Sequence, residues 1–299
     1  MRFLITAGGT TELIDPVRRI TNSATGQLGS LIAASLAAAG GQEVERIHYV
    51  CERGAVVPEL DCLDLVTVRG VNQTAEAMRR LLSSEPIDAV IHSMAVSDYT
   101  VSGVTTRHEI SGRLAQLAGR WAASGVPDEA QRDMELNAVL NGSAQAPSEE
   151  VKLSSGLTDL VLLMAQTPKL ISLVKTLQPS TVLVGFKLLN GVSEAELLRA
   201  AGRVQQQNSC DFVLANDMTA ITATQHKALL LDYGRAPEGM LADGQAAESL
   251  PGTVWKPSAS PGSGAQATAE IIGRYETKQQ IADGIAQAVL TRMKNVDRR

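Results

Sequence analysis

The sequence predicts a doubly wound α/β fold on a mostly parallel sheet, and three observations carry that reading. Short apolar runs alternate along the 299 residues with segments of helical pattern. Two of the runs, Ile87–Ser93 and Thr181–Leu188, are close to continuous in apolar residues, as strands buried on both faces tend to be. Hydrophobic residues make up 44% of the chain and charged residues 20%, the balance of an ordinary globular protein.

Taken in order, the first strand is expected over Arg2–Ala7, followed by an alanine-rich helix over Gly29–Ala39. Strands over Val44–Cys51 and Leu63–Val68 come next, then a helix over Thr74–Ser83 that leads into Ile87–Ser93. A helix over Thr167–Thr176 precedes the strand Thr181–Leu188, and a helix over Ser193–Gln206 precedes Asp211–Ala215. Lys227–Leu231 adds a last strand, and Lys278–Met293 a closing helix. Right-handed crossovers between such strands place helices on both faces, a Rossmann-like arrangement.

Two stretches break the rhythm. Ser102–Ser148 mixes polar, glycine and alanine residues, with a helix expected near Asp128–Leu140. Gly234–Thr268 is crowded with Gly, Pro, Ala and Ser and reads as a loop or a partly disordered insertion. Loops this long are commonly lids or disordered segments. The expectation is one domain over residues 1–299, enlarged by insertions at about 102–148 and 234–268.

Lys plus Arg number 27 against 32 Asp plus Glu, a net charge of −5. That balance lacks the footprint of a general nucleic-acid binder, but leaves room for a local cationic pocket. Cys51, Cys62 and Cys210 have no CxxC spacing, which fits a reducing compartment better than a disulfide framework. The apolar start is too short for a signal peptide. The run Leu31–Ala39 has roughly half the length of a membrane span. A cytoplasmic protein with no membrane partner is expected.

In such a sheet the ligand sits outside the carboxyl ends of the strands. The residues expected there are Ala7-Gly8-Gly9-Thr10, Met94-Ala95-Val96-Ser97-Asp98, Gly185-Phe186-Lys187 and Asn216-Asp217. Thr25-Gly26-Gln27-Leu28-Gly29 opens the first helix, where backbone N–H groups and the helix dipole favour a phosphate. Tight turning and close packing are the competing explanation, and the polar segment carrying Arg18 and Asn22 tilts the reading towards a site. Taken singly, Asp98 reads as a turn or cap aspartate and Lys152 as a solvated lysine. Lys187 alone reads as a snorkelling strand end and Phe186 as core. Together at one sheet edge they read as a site.

Other chemistries find no support. GxxxxGK[ST] and GxSxG are absent. Gly262-Ser263-Gly264-Ala265-Gln266-Ala267 follows Pro- and Ser-rich sequence rather than a strand, so it is not a dinucleotide fingerprint. His48, His92, His108 and His226 lack HxH or HxxxH spacing, which argues against a metal held by protein nitrogen or sulfur. His92 in an apolar strand reads as a core or site-lining residue.

The blocks Ile5–Thr10, Ile14-Asp15-Pro16-Val17-Arg18 and Ile20–Gly29 closely resemble the opening of the phosphopantothenate–cysteine ligase family. Met94–Tyr99, Lys152-Leu153-Ser154-Ser155, Thr167-Pro168-Lys169, Val184–Leu188 and Ala215-Asn216-Asp217 follow in family order. The resemblance implies a ligase of coenzyme A biosynthesis that joins 4′-phosphopantothenate to cysteine through an acyl-nucleotide. CTP or ATP would be the cosubstrate, with Mg²⁺ on the phosphates. It implies Asn22 and Lys152 as catalytic residues, with Arg18, Ala95 and Asp98 on the substrate. Gly8, Gly9, Thr10, Met94, Asp98, Lys152, Pro168, Phe186, Lys187 and Asn216 would contact the nucleotide. Many bacterial members are fused behind a flavin-dependent decarboxylase. Because the first strand here starts at Met1, a stand-alone ligase without flavin, acting as a homodimer, is expected. Met94 and Gln27 depart from the usual alanine and lysine, and Arg199 and Arg203 lie beside the aligned positions Ala200 and Val204. The alternatives are a nicotinamide-dependent reductase, which the missing GxGxxG and Tyr-x-x-x-Lys argue against, and an inactive binding relative.

Overall fold

Strand β1 (Arg2–Ala7) shows how the core is divided. Phe3, Ile5 and Ala7 pack into one hydrophobic cluster and Leu4 into the other, because successive side chains leave a strand on opposite faces. The computed structural model describes residues 1–148, 151–222, 224–234 and 269–296. The Gly- and Pro-rich residues 235–268, with the Gly262–Ala267 run, lie outside the described residues.

A short hairpin, β2 (Thr11–Leu13) and β3 (Arg19–Thr21), follows β1 and leads to α1 (Gln27–Gly40). Then come β4 (Arg46–Glu52), β5 (Leu63–Val68), α2 (Gly70–Ser84) and β6 (Ala89–His92). A ribbon of β7 (Tyr99–Thr106) and β8 (Leu160–Gln166) encloses α3 (Arg107–Ser124) and α4 (Glu129–Gly142) in sequence. The chain continues through α5 (Ser172–Leu177), β9 (Val182–Leu189), α6 (Glu194–Asn208) and β10 (Phe212–Ile221). It closes with β11 (His226–Asp232), β12 (Glu270–Tyr275) and α7 (Lys278–Val296).

Eight strands form the main sheet in the order β12-β11-β10-β9-β6-β1-β4-β5. The six from β10 to β5 pair in parallel, while β11 and β12 join antiparallel at one edge. The expected doubly wound, mostly parallel α/β sheet is therefore present. Ile32, Leu36, Ile281, Ile285 and Val289 bring α1 and α7 onto one face. Met78, Leu81, Val174 and Leu197 bring α2, α5 and α6 onto the other. Each large aliphatic side chain buried this way contributes about 1.5–3 kcal/mol over its exposed state.

Three expectations need correction. The helix expected over Thr167–Thr176 is only α5, Ser172–Leu177. Pro168 disfavours helical backbone at Thr167, whose N–H instead bonds the Asp98 carbonyl at 3.0 Å. The strand expected over Asp211–Ala215 runs on to Ile221, so Asn216 and Asp217 lie within β10 rather than beyond it. Ser102–Ser148 is not mainly irregular: it holds the end of β7, all of α3 and all of α4. The helix expected near Asp128–Leu140 is α4, and the Asp128 carboxylate accepts the Gln131 N–H at its start.

Candidate active site at the switch point

The chain leaves β1 towards β4 on one side and later returns to β6 on the other, so the topological switch point lies between β1 and β6. Their register ends at Thr6↔His92. Beyond it the two loops stay laced together. The Ala95 N–H donates to the Gly8 carbonyl at 2.8 Å and the Thr10 N–H to the Ala95 carbonyl at 3.2 Å. The Ser97 N–H donates to the Thr10 hydroxyl at 2.8 Å. Gly8, Gly9, Thr10, Met94 and Ala95 thus form the floor of one crevice.

Asn22 enters this floor from the end of the β2–β3 hairpin. Its backbone N–H bonds the Thr10 carbonyl at 3.2 Å, and its Nδ2 donates to the Ala95 carbonyl at 3.0 Å. One amide hydrogen is therefore held, and the other, with Oδ1, belongs to a half-buried side chain beside the crevice. Glycine is required opposite it, because a Cβ at Gly9 would stand 2.2 Å from the Asn22 carbonyl oxygen.

The hairpin turn explains where Arg18 and Lys152 lie. Asp15 is fully buried and accepts the Val17 and Arg18 N–H groups at 2.8 and 2.7 Å, an Asx turn. Its second oxygen takes Arg18 Nη1 at 2.6 Å and the Leu153 N–H at 3.2 Å. Burial alone would push the Asp15 carboxyl up, but the Val17, Arg18 and Leu153 N–H groups and the Arg18 charge outweigh it and hold it below the usual range. Arg18 Nη1 also reaches the Leu153 carbonyl at 3.4 Å. Leu153 is tethered by both backbone groups, and the exposed Lys152 is carried next to the hairpin.

Two helix N-termini meet this region, and the sequence treats them differently. At α2 the Gly70 N–H donates to Glu52 at 2.6 Å and the Val71 N–H to Glu12 at 2.9 Å, so carboxylates already meet its positive end. At α1 the N-cap is Gly26, in the left-handed region, and the first turn holds no acid. A Cβ at Gly26 would come within 3.3 Å of the Gly8 nitrogen, so this uncompensated terminus abuts the floor. An anion is favoured there.

Asp98 is exposed and paired with Lys169 Nζ at 2.5 Å. Such a pair contributes at most about 1 kcal/mol. The Thr167 hydroxyl donates to the Ser97 carbonyl at 2.5 Å, which brings the exposed Pro168 and Lys169 alongside Asp98. Phe186 and Lys187 lie in the part of β9 that runs past its pairing with β6. Phe186 packs partly against the core, as expected of an aromatic residue at the end of a buried strand. Asn216 is buried in β10, with Nδ2 3.0 Å from His226 Nε2. Asp217 is spent on structure. The Thr219 hydroxyl and the Val192, Gly191 and Thr219 N–H groups hold its carboxyl well below the usual range.

His92 is buried beneath the floor, its Nδ1 2.9 Å from the Thr6 hydroxyl, and burial pushes its pKa down to about 4. It is neutral at physiological pH. Among the described residues no three His, Cys, Asp or Glu side chains cluster to hold a metal. Sequence reasoning missed the roles of Asp15, Glu12, Glu52, Thr6 and Thr167. Asp15 had a readable signal, since Asp-Pro-Val-Arg is an Asx-turn sequence; the others bond partners distant in sequence. A groove of about 750 Å³ between α1 and α7, lined by Ala34, Ala38, Asp283, Ala286 and Leu290, contains none of the crevice residues.

Residues 1–111 match the family described as the DNA/pantothenate metabolism flavoprotein C-terminal domain. The chain is 30% identical over 230 residues to the coenzyme A biosynthesis bifunctional protein CoaBC of Thermococcus kodakarensis. That match covers 77% of this chain and 44% of the relative, so it spans less than half the length of that protein. Among solved structures, the DNA/pantothenate metabolism flavoprotein from Streptococcus pneumoniae superimposes with a TM-score of 0.68 and 27% identity, over 97% of this chain and 99% of that one. The C-terminal domain of a bifunctional protein CoaBC shares the fold at a TM-score of 0.54 and 18% identity, over 98% of each chain. The first 111 residues thus match the model of the DNA/pantothenate metabolism flavoprotein C-terminal domain, and over nearly its whole length the chain shares the fold of these solved structures.

Proposed function

We propose that the protein joins 4′-phosphopantothenate to cysteine in coenzyme A biosynthesis, using CTP or ATP with Mg²⁺. The observation that carries this reading is the Asn22 carboxamide, pinned to the Ala95 carbonyl at the floor of the switch-point crevice. In the first step a carboxylate oxygen of the substrate attacks the α-phosphorus, the bond to the β-phosphate breaks, and pyrophosphate leaves. In the second the cysteine amine attacks the acyl carbonyl, the nucleoside monophosphate departs, and the amine loses a proton. Both steps place negative charge on oxygens that need fixed donors in a water-poor site. The free Asn22 N–H is the donor for the acyl oxygen, preorganised because its sister hydrogen is already held. The α1 N-terminus, the Gly8-Gly9-Thr10 turn and Lys152 face the triphosphate. Ala95, Asp98 and Arg18 meet the other substrate, Arg18 through the nitrogens that Asp15 and Leu153 do not take. Met94, Pro168, Phe186, Lys187 and Asn216 border the nucleotide. No protein cluster among the described residues would ligate Mg²⁺, so the cation would arrive with the nucleotide and supply neutralisation of its phosphate charge.

The test is product formation in a mixture of phosphopantothenate, cysteine, Mg²⁺ and either CTP or ATP. Pyrophosphate release should require substrate and nucleotide together, and Asn22→Ala should fold yet lose about 10²–10³-fold in kcat, the usual worth of one oxyanion donor. If neither nucleotide yields a cysteine-dependent product, the reading fails.

A homodimer is part of the same proposal. What supports it is the β7–β8 ribbon, where Tyr99, Leu160 and Met164 are exposed and β8 pairs only with β7 among the described residues. Sedimentation equilibrium tests it, and a monomer at micromolar concentration would overturn it.

A further inference from the structure

The β10–β11 ladder is regular through Asn216↔Ala228 and resumes only at Ile221↔His226, with an irregularity between. His226 opens β11 and Asn216 lies in the interior of β10. Both side chains are more than nine-tenths buried, and His226 Nε2 lies 3.0 Å from Asn216 Nδ2. With the amide N–H donating, Nε2 is the acceptor and the neutral ring carries its proton on Nδ1. That Nδ1 is itself buried and has no hydrogen-bond partner among the described residues. Burial, and then the nearby Lys278 charge, lower the pKa of the ring and favour the neutral form that can accept.

A buried pair that leaves a donor unsatisfied is a poor way to stabilise a strand; two apolar side chains would do so more cheaply. What the pair supplies is direction. A carboxamide with one hydrogen fixed presents its other hydrogen and its oxygen along set lines. The neighbourhood also belongs to the crevice edge, since Lys278 Nζ donates at 2.6 Å to Gln27 in the first turn of α1. We propose that His226 is a positioning residue that sets the orientation of the Asn216 carboxamide towards the bound nucleotide. This rests on the ligase reading above, in which Asn216 borders the nucleotide.

The test is steady-state kinetics on the full chain with nucleotide as the varied substrate, supported by thermal melts. His226→Leu should raise the nucleotide KM about tenfold while leaving kcat and the KM values for phosphopantothenate and cysteine within about twofold. His226→Gln, whose Oε1 can accept the same N–H, should stay within about threefold of the wild type. The double variant His226→Leu/Asn216→Ala should be no worse than Asn216→Ala, because the histidine acts only through the amide. An unchanged nucleotide KM in a folded His226→Leu, or an effect that adds in full to Asn216→Ala, overturns the inference while leaving the ligase reading standing. So does loss of the fold in both the leucine and glutamine variants, which marks a purely structural residue. If the wild type forms no product, the ligase reading fails separately. Calorimetric binding of CTP and ATP then decides the inference alone: equal affinity in wild type and His226→Leu refutes it.

Discussion

Gly9→Ala tests the geometry of the crevice directly. An alanine Cβ would stand 2.2 Å from the Asn22 carbonyl oxygen and 3.0 Å from its carbon. An ordinary carbon–oxygen approach is about 3.3 Å, so roughly 1 Å must be made up. Neither side can yield by turning a side chain, because both atoms at the clash belong to backbone or are fixed to it. The hairpin end that carries Asn22 has to move. Its Nδ2 bond to Ala95 is 3.0 Å long, and a shift of that size away from the floor would break it. A displacement of about 1 Å at a reacting group can cost around 10²-fold in rate. Overpacking costs about 1–3 kcal/mol, a fall of a few degrees in Tm for a chain this long. The assay pairs a thermal melt with pyrophosphate release, so that turnover and stability are read on the same preparation. We expect a folded protein with a modestly lower Tm and about one-hundredth of the wild-type kcat. Wild-type turnover and an unchanged Tm would refute the packing argument and with it the placement of Asn22.

Three further outcomes are expected. For Asp15, whose folded pKa lies below its unfolded value, the contribution to stability is present above about pH 4 and is lost as pH falls through the folded pKa. The Tm gap between wild type and Asp15→Asn should therefore narrow from pH 6 to pH 3, and a gap independent of pH counts against the ionised carboxylate. His92 has the opposite protonation problem: between about 6.5 and about 4 the unfolded chain takes up a proton that the buried ring refuses. Stability to urea should fall with acidification across that window by close to one proton's slope, and His92→Gln should flatten it; equal slopes would show that the ring is not shielded. Gly202 lies inside α6 with open space where a Cβ would go, so Gly202→Ala should gain about 0.5–1 kcal/mol in chemical denaturation. A loss there would mean that the helix face is covered by something.

The inner parallel strands β1, β4 and β6 were legible because each is buried on both faces and so written as an apolar run, whereas β5 at the sheet edge is largely exposed. The crevice was legible for a topological reason: the switch point is fixed once strand order is known, and Gly8-Gly9-Thr10 and Met94-Ala95 must then flank it. The β7–β8 ribbon was harder. Leu160–Ala165 is apolar, but its strand stands outside the main sheet and its partner is far off in sequence, so no local period pairs them. Thr167–Thr176 misled because its apolar spacing suits a helix, while Thr167 is held by Ser97 and Asp98. Asn216 read as a residue past a strand end, because nothing local shows that β10 is prolonged by pairing with β9 and β11. Asp15 bonds Leu153 across 138 positions, a tether no motif search could show.

The lacing of the crevice floor also bears on when the site can exist during synthesis. The Asn22–Ala95 bond joins residues 73 apart and the Thr10–Ser97 bond residues 87 apart. Until β6 has inserted beside β1, the Gly8-Gly9 turn has no partner strand and Asn22 has nothing to hold its amide. Contacts of such separation form late, after local helices and hairpins. A nascent chain that ends before residue 89 can therefore possess β1, α1 and β4 and still lack the bonds that hold the Gly8-Gly9 turn and the Asn22 amide in place. Ligand binding should report completion of the fold, and nucleotide should protect only chains in which the first and fourth parallel strands have already met.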